Sequence, residues 1–214
     1  MKKPSIPVAK EGLPFILFAA LLSLVLAILQ YSLLSFGALL LTAFVLYFFR
    51  DPERIPSDDD DALISPADGK VILIEKVFDE RYVKEHVYKI GIFMNIFNVH
   101  VNRVPFPGKV RKVIYTPGTF YSANTEKSTL GNESCGVVIE TSSGRKIAFV
   151  QIAGLVARRI VCWVVRGDQL KKGQRFGLIR FGSRVDLYLP LQTQLEITKG
   201  QKVRAGETIL GYLS

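Results

Sequence analysis

Two cysteines, two histidines and one tryptophan are all that this 214-residue chain holds of the residue types that most often build metal, redox and stacking sites. No CxxC or HxxxH spacing occurs, which argues against a protein-built zinc site. Cys135 and Cys162 lie far apart in apolar, strand-like contexts and read as two separate buried, reduced thiols. There is no zinc-finger spacing, no RNP-like aromatic run and no dense Lys/Arg block, so nucleic acid is not the expected partner. Helical periodicity is nearly absent beyond residue 61, apart from a turn expected around Leu155–Arg159, and that excludes a helical bundle.

Charge is missing altogether from Leu13 to Phe49, a run of 37 residues. As one helix it would be about 55 Å long, against a hydrocarbon core of about 30 Å. Gln30-Tyr31-Ser32 breaks it into 13–29 and 33–49, each about 25 Å as a helix. The expectation is a hydrophobic helical hairpin that crosses the bilayer or dips into it. Lys2, Lys3 and Lys10 precede it and Arg50 and Arg54 follow, which puts both flanks on the cytoplasmic face of a cell membrane. A cleaved signal peptide is disfavoured, because a second apolar run follows at once and no A-x-A site stands between them. The expected division is therefore a basic tail (1–12), a membrane hairpin (13–49), a polar linker (50–61) with a proline elbow and a solvated Asp58–Asp61 run, and a folded domain (62–214). That domain holds 23 Lys/Arg and 12 Asp/Glu, a net +11 against −2 for residues 1–61, and so favours an anionic partner such as acidic lipid.

From Ala62 onward short β-branched runs alternate with turns. Val71–Val77, Val87–Phe93, Val110–Tyr115, Gly136–Glu140, Lys146–Ile152 and Ile160–Val165 read as strands, punctuated by Asp68-Gly69, Pro107-Gly108, Pro117-Gly118 and Ser143-Gly144. Near the end, Leu170-Lys171-Lys172-Gly173-Gln174-Arg175-Phe176-Gly177 echoes Ile197-Thr198-Lys199-Gly200-Gln201-Lys202-Val203, and Gly206 and Gly211 recur beyond it. Glycines between very short strands suit a mostly β, barrel-sandwich-like domain with elements like those of lipoyl and biotinyl carriers. A membrane-tethered carrier or adaptor is therefore one functional class, with Lys70 after Asp-Gly as its modifiable lysine.

Three residues could instead do chemistry. Asp68 stands in Ser65-Pro66-Ala67-Asp68-Gly69, His100 in Asn98-Val99-His100-Val101-Asn102-Arg103-Val104-Pro105, and Ser183 in Arg180-Phe181-Gly182-Ser183-Arg184. An orienting carboxylate, a base and a nucleophile are present in that order. With Phe49-Arg50-Asp51-Pro52, Tyr115-Thr116-Pro117-Gly118, Gln151-Ile152-Ala153-Gly154 and Ala157-Arg158-Arg159-Ile160, these segments resemble, in order and spacing over nearly the whole chain, the phosphatidylserine decarboxylase proenzymes of the short bacterial and archaeal type. Long-type members write Leu-Gly-Ser-Thr at the cleavage motif and carry two histidines three apart. Here Arg103 takes the second position, so His100 either serves both self-cleavage and decarboxylation or shares the work with another group.

The resemblance implies a zymogen that cuts its own Gly182–Ser183 bond, with Ser183 becoming a covalent pyruvoyl cofactor. His100 would be the base and proton donor, oriented by Asp68, and Arg158, Arg159 and Arg184 are candidates for the lipid phosphate. The products would be a β chain (1–182) and an α chain (183–214) of two or three short strands, held together as a heterodimer. The ketone would form a Schiff base with phosphatidylserine and release CO2 and phosphatidylethanolamine. A relative acting on another seryl lipid, such as archaetidylserine, would read the same way.

Overall fold

The computed structural model describes residues 7–118, 131–154, 159–180 and 183–213. The chain divides into two compact units, Met1–Glu53 and Arg54–Ser214.

In the first unit, α1 (Leu13–Ile28) and α2 (Ser32–Phe48) form the expected hairpin. A proline in its first turn starts α1. Gln30 takes a left-handed φ of 62° to reverse the chain. The hairpin closes at its base, where the Ala9 N–H donates to Phe49 O at 2.8 Å and the Asp51 N–H to Pro7 O at 2.7 Å. Phe18 and Leu33 are 70% and 84% exposed. Helices that show apolar side chains on their outer faces suit lipid better than water. The segment Lys10–Ile28, at 19 residues, is long and apolar enough to cross a membrane, and α2 is shorter.

The second unit is built of strands: β1 (Ala62–Ile64), β2 (Gly69–Phe78), β3 (His86–Met94), β4 (Val101–Arg103), β5 (Gly108–Thr116), β6 (Ser134–Glu140), β7 (Lys146–Ala153), β8 (Ile160–Cys162), β9 (Gln169–Leu170), β10 (Arg175–Ile179), β11 (Ser183–Pro190), β12 (Gln194–Leu195), β13 (Lys202–Val203) and β14 (Ile209–Tyr212). Eight of them form one antiparallel sheet in the order β13-β2-β3-β11-β7-β6-β5-β9. Two three-stranded sheets, β1-β14-β12 and β4-β10-β8, complete the mostly β body. Each of the six strands read from the sequence falls on an observed one. The last stops at Cys162 rather than Val165, because Asp168 Oδ2 takes the Val165 N–H at 2.9 Å and closes a turn. Leu155–Val156–Ala157–Arg158, where a helical turn was expected, lie outside the described residues.

The central strands are buried on both faces. One face of β11 packs Val185, Leu187 and Leu189 into the main core with Ile90, Ile92, Phe149 and Phe176. The other packs Tyr188 against Tyr82, Val83, Ala148 and Val150. Asp79 holds that second cover in place, its carboxylate accepting from the Tyr82 and Val83 N–H groups at 2.9 and 2.6 Å. Double-sided burial explains why β6 and β7 are near-continuous apolar runs with little alternation; β11 is buried on both faces too, but carries Ser183, Arg184 and Asp186. The paired corner glycines of the echo, Gly173 and Gly200, take φ of 76° and 96°, a conformation L side chains rarely adopt.

Residues 183–214 contribute four strands, not two or three. One of them, β11, lies between β3 and β7 in the middle of the large sheet, β13 pairs with β2 and β14 with β1, and β12 pairs with β14. Two-residue strands carry no periodicity, which is why they were not countable from sequence.

Candidate active site

Strand register brings the candidate residues to one end of the large sheet. Lys70, Phe93, Arg184, Ile152, Ser134 and Thr116 form one cross-sheet row. One residue further along, Ser183 stands between Met94 and Ala153 as the first residue of β11. Gly69 closes against the end of β3, where an added Cβ would lie 2.1 Å from Phe93 O; only glycine allows that approach. It thereby fixes Asp68, its neighbour, at this end.

Ser183 is fully buried. Its hydroxyl donates to Met94 Sδ at 3.3 Å, a weak acceptor that competes little for the proton. The same sulfur receives Asn102 Nδ2 at 3.6 Å, and Asn102 Oδ1 accepts from Gln151 Nε2 at 2.8 Å. All four residues are fully buried. Gln151 lies opposite Val185, so it faces the core, as Ser183 does. Asn102 and Gln151 stood in the motifs of the sequence without a role. The available signal was a polar residue at a core-facing position in the apolar strand Ile147–Ala153.

His100 is also fully buried and reaches this end through the neighbouring sheet. Its carbonyl accepts from the Ile179 N–H at 3.3 Å, four residues before Ser183. Its Nδ1 sits 2.9 Å from the Asn98 carbonyl oxygen. A carbonyl can only accept, so Nδ1 is the donor in this bond and carries a proton. The Asn98 backbone is thus one group that orients His100. The Asp68 carboxylate instead meets Arg54 at 3.2 Å and accepts from the Ala205 N–H at 2.8 Å. Arg103, at the second-histidine position, is buried and donates to Gly173 O at 3.0 Å.

Adjacent residues in a strand face opposite ways, so the Arg184 side chain lies on the face away from Ser183. There its Nε contacts Asp186 Oδ1, with Lys89 Nζ 3.7 Å from Asp186 Oδ2. Burial pushes the Asp186 carboxyl up, and Arg184 and Lys89 pull it down. The Arg184 guanidinium belongs to a buried ion cluster on the face of the sheet opposite Ser183. Arg159 is exposed, and its carbonyl accepts from the Arg180 N–H at 3.3 Å on the approach to Ser183. Gly182 and Arg158 lie outside the described residues. Lys70 is in β2, paired with Phe93 and Lys202, and not at a hairpin tip as a carrier lysine would be.

Cys135 and Cys162 are free thiols, and they lie near enough to each other for a hydrogen bond to act on their titration. The bond from Cys135 pulls Cys162 down to about 7, while the same contact and burial push Cys135 up. The half-exposed Cys162 is therefore the thiolate former. Its alkylation by iodoacetamide is expected to rise with pH through about 7, well below an ordinary thiol. In Cys135→Ser, which alters that hydrogen bond, the midpoint should move; an unchanged profile would remove Cys135 as the cause.

The family model for phosphatidylserine decarboxylase matches residues 41–211. The chain belongs to the phosphatidylserine decarboxylase family. A phosphatidylserine decarboxylase proenzyme of Desulfotalea psychrophila is 61% identical over 213 residues, covering 100% of both chains. Proenzymes of the same description from Syntrophotalea carbinolica and Geotalea uraniireducens are 50% and 48% identical over 213 residues, again with 100% of each chain covered. Membership makes this chain an enzyme of the carboxy-lyase type and displaces the carrier reading. The description of those relatives names a phospholipid, and the word proenzyme implies that they are processed.

Proposed function

We propose that the chain cuts itself between Gly182 and Ser183, converts Ser183 into a pyruvoyl group and uses that group to decarboxylate phosphatidylserine to phosphatidylethanolamine. The observation that carries the reading is the position of Ser183: buried, first in its strand, and paired on both sides to Met94 and Ala153. A new chain terminus at that point stays anchored by two ladders after the preceding bond is broken. The residues present also fit a small carbonyl group, since neutral Asn102 and Gln151 lie on the same buried side, with Met94 Sδ between Ser183 and Asn102.

In the first step, with His100 Nε2 taking its proton, the Ser183 hydroxyl attacks the Gly182 carbonyl carbon. The C–N bond breaks, the amine takes a proton, and an ester links the two halves. Loss of the proton on the Ser183 Cα then expels the ester oxygen from Cβ, and its electron pair leaves as the Gly182 carboxylate. Tautomerisation of the resulting dehydroalanine and hydrolysis release ammonia and leave the ketone. A pyruvoyl carbonyl supplies an electron sink for the pair released when the substrate amine's neighbouring carboxylate departs as CO2. His100 returns the proton. Asp68 acts as a positioning residue, tying Arg54 and the Ala205 N–H to the start of β2. Arg159, with Arg158, offers positive charge to the substrate phosphate.

The two products, residues 1–182 and 183–214, remain a heterodimer on the cytoplasmic face of the membrane, anchored in membrane lipid by residues 13–49. Deleting residues 1–49 should leave self-cleavage intact and remove salt-resistant pelleting with membranes; salt-resistant pelleting of the truncated chain would overturn the anchor. The cofactor is tested by trapping. Phenylhydrazine should inactivate the enzyme and add one hydrazone to the 32-residue chain. An unmodified small chain in an inactivated enzyme would contradict it.

A further inference from the structure

Asn95–Asn98 joins the end of β3 to the His100 segment, and its conformation is fixed from within. The Asn98 N–H donates to Asn95 O at 3.1 Å, the Asn95 N–H to Asn98 Oδ1 at 2.9 Å and the Phe97 N–H to Asn95 Oδ1 at 2.9 Å. Such Asx-type bonds make a stiff turn. The two residues at its tip are apolar, yet Ile96 and Phe97 are 40% and 59% exposed. A single exposed apolar residue is ordinary. An adjacent aliphatic–aromatic pair on a self-braced turn, one residue beyond the Met94 that contacts Ser183, is a different matter. The turn is also coupled to the chemistry, since Asn98 O is the acceptor for His100 Nδ1.

Exposed positive charge lies around it. Lys70 and Lys202 lie side by side at this sheet end, and Arg159 borders the approach to Ser183. Of the acids described at this end, Asp68 and Glu133 are buried, Asp68 on Arg54 and Glu133 against the Ile160 N–H at 3.3 Å, and the half-exposed Glu207 is paired with the same Arg54 at 2.8 Å.

We propose that Ile96 and Phe97 form a wedge that enters the acyl region of an anionic phospholipid surface and holds the Ser183 end of the sheet at head-group level. The apolar pair supplies burial, the lysines and Arg159 supply attraction to acidic head groups, and the braced turn transmits the position to His100. A buried reaction centre acting on a head group whose chains stay in the bilayer needs such a registration. The wedge rests on the membrane-bound phospholipid substrate of the proposed function, but not on the pyruvoyl group.

The test is a depth measurement on the full-length chain reconstituted into vesicles of phosphatidylcholine and phosphatidylserine. The single tryptophan is first removed as Trp163→Phe, and a reporter is placed by Phe97→Trp. A control reporter is placed by Phe78→Trp, at the far end of β2 and 54% exposed. With brominated acyl chains, emission at position 97 should fall about two-fold or more and shift to the blue, and emission at position 78 should not change. Emission at 97 that stays water-like in vesicles overturns the wedge, as does a blue shift that occurs without lipid, which would mean burial against protein. Repeating the measurement in Ser183→Ala separates the two readings. Quenching at 97 there supports the wedge whatever the fate of self-cleavage, and its absence there as well as in the parent counts against the wedge alone.

Discussion

Ser183→Ala is expected to remain a single 214-residue chain with no decarboxylase activity. The variant lacks the hydroxyl proposed to attack the Gly182 carbonyl, so the loss should be complete rather than graded. Replacing a buried hydroxyl whose partner is a thioether leaves no strong acceptor unsatisfied, so folding should survive within about 1 kcal/mol. Ser183→Cys keeps a nucleophile and should cut partially through a thioester. Ser183→Thr should cut slowly, because its extra methyl stiffens χ1 in a fully buried position. A denaturing gel and a CO2-release assay read all three. Cleaved, active Ser183→Ala would end the proposal.

His100→Ala should slow both self-cleavage and decarboxylation, each by about 10²-fold or more, the usual worth of a positioned acid–base group. Both steps are expected to suffer because Arg103 stands where a second histidine would be, and its guanidinium is committed to Gly173 O. Burial of His100 makes the alanine variant a folding risk, so His100→Gln is the companion: it keeps volume and polarity without a titratable base. The cleavage rate is followed on fresh chain, and turnover is counted per cleaved molecule. Full cleavage and full turnover in a folded His100→Gln would remove His100 from the mechanism; loss of only one would reassign the other step.

Much of this arrangement was legible before any coordinates. β2, β3, β5, β6 and β7 announce themselves because β-branched residues bounded by Gly and Pro have few alternatives to a strand. The helical hairpin follows from 37 uncharged residues that no single span can accommodate. The echo glycines Gly173 and Gly200 do take the left-handed conformation their spacing suggested.

Contacts between distant segments were not legible. Gln151 and Asn102 meet across 49 positions, and nothing local to either strand says so. Cys135 and Cys162 looked separate for the same reason: β6 and β8 belong to different sheets. The position of Arg184 was not legible either, since neighbourhood along the chain is not neighbourhood in space: strand alternation sends it and Ser183 to opposite faces. The orienting role given to Asp68 came from chain order, whereas the group on His100 Nδ1 is a backbone carbonyl two residues away, which no side-chain pattern marks.

The intact mass of the purified wild-type protein tests the central claim most directly. Two components are expected, one matching residues 1–182 and one matching residues 183–214 but lighter by one ammonia than a chain starting with serine, together accounting for all active protein. A single component of 214 residues with full decarboxylase activity, or a small chain that keeps its amino-terminal serine, would contradict it.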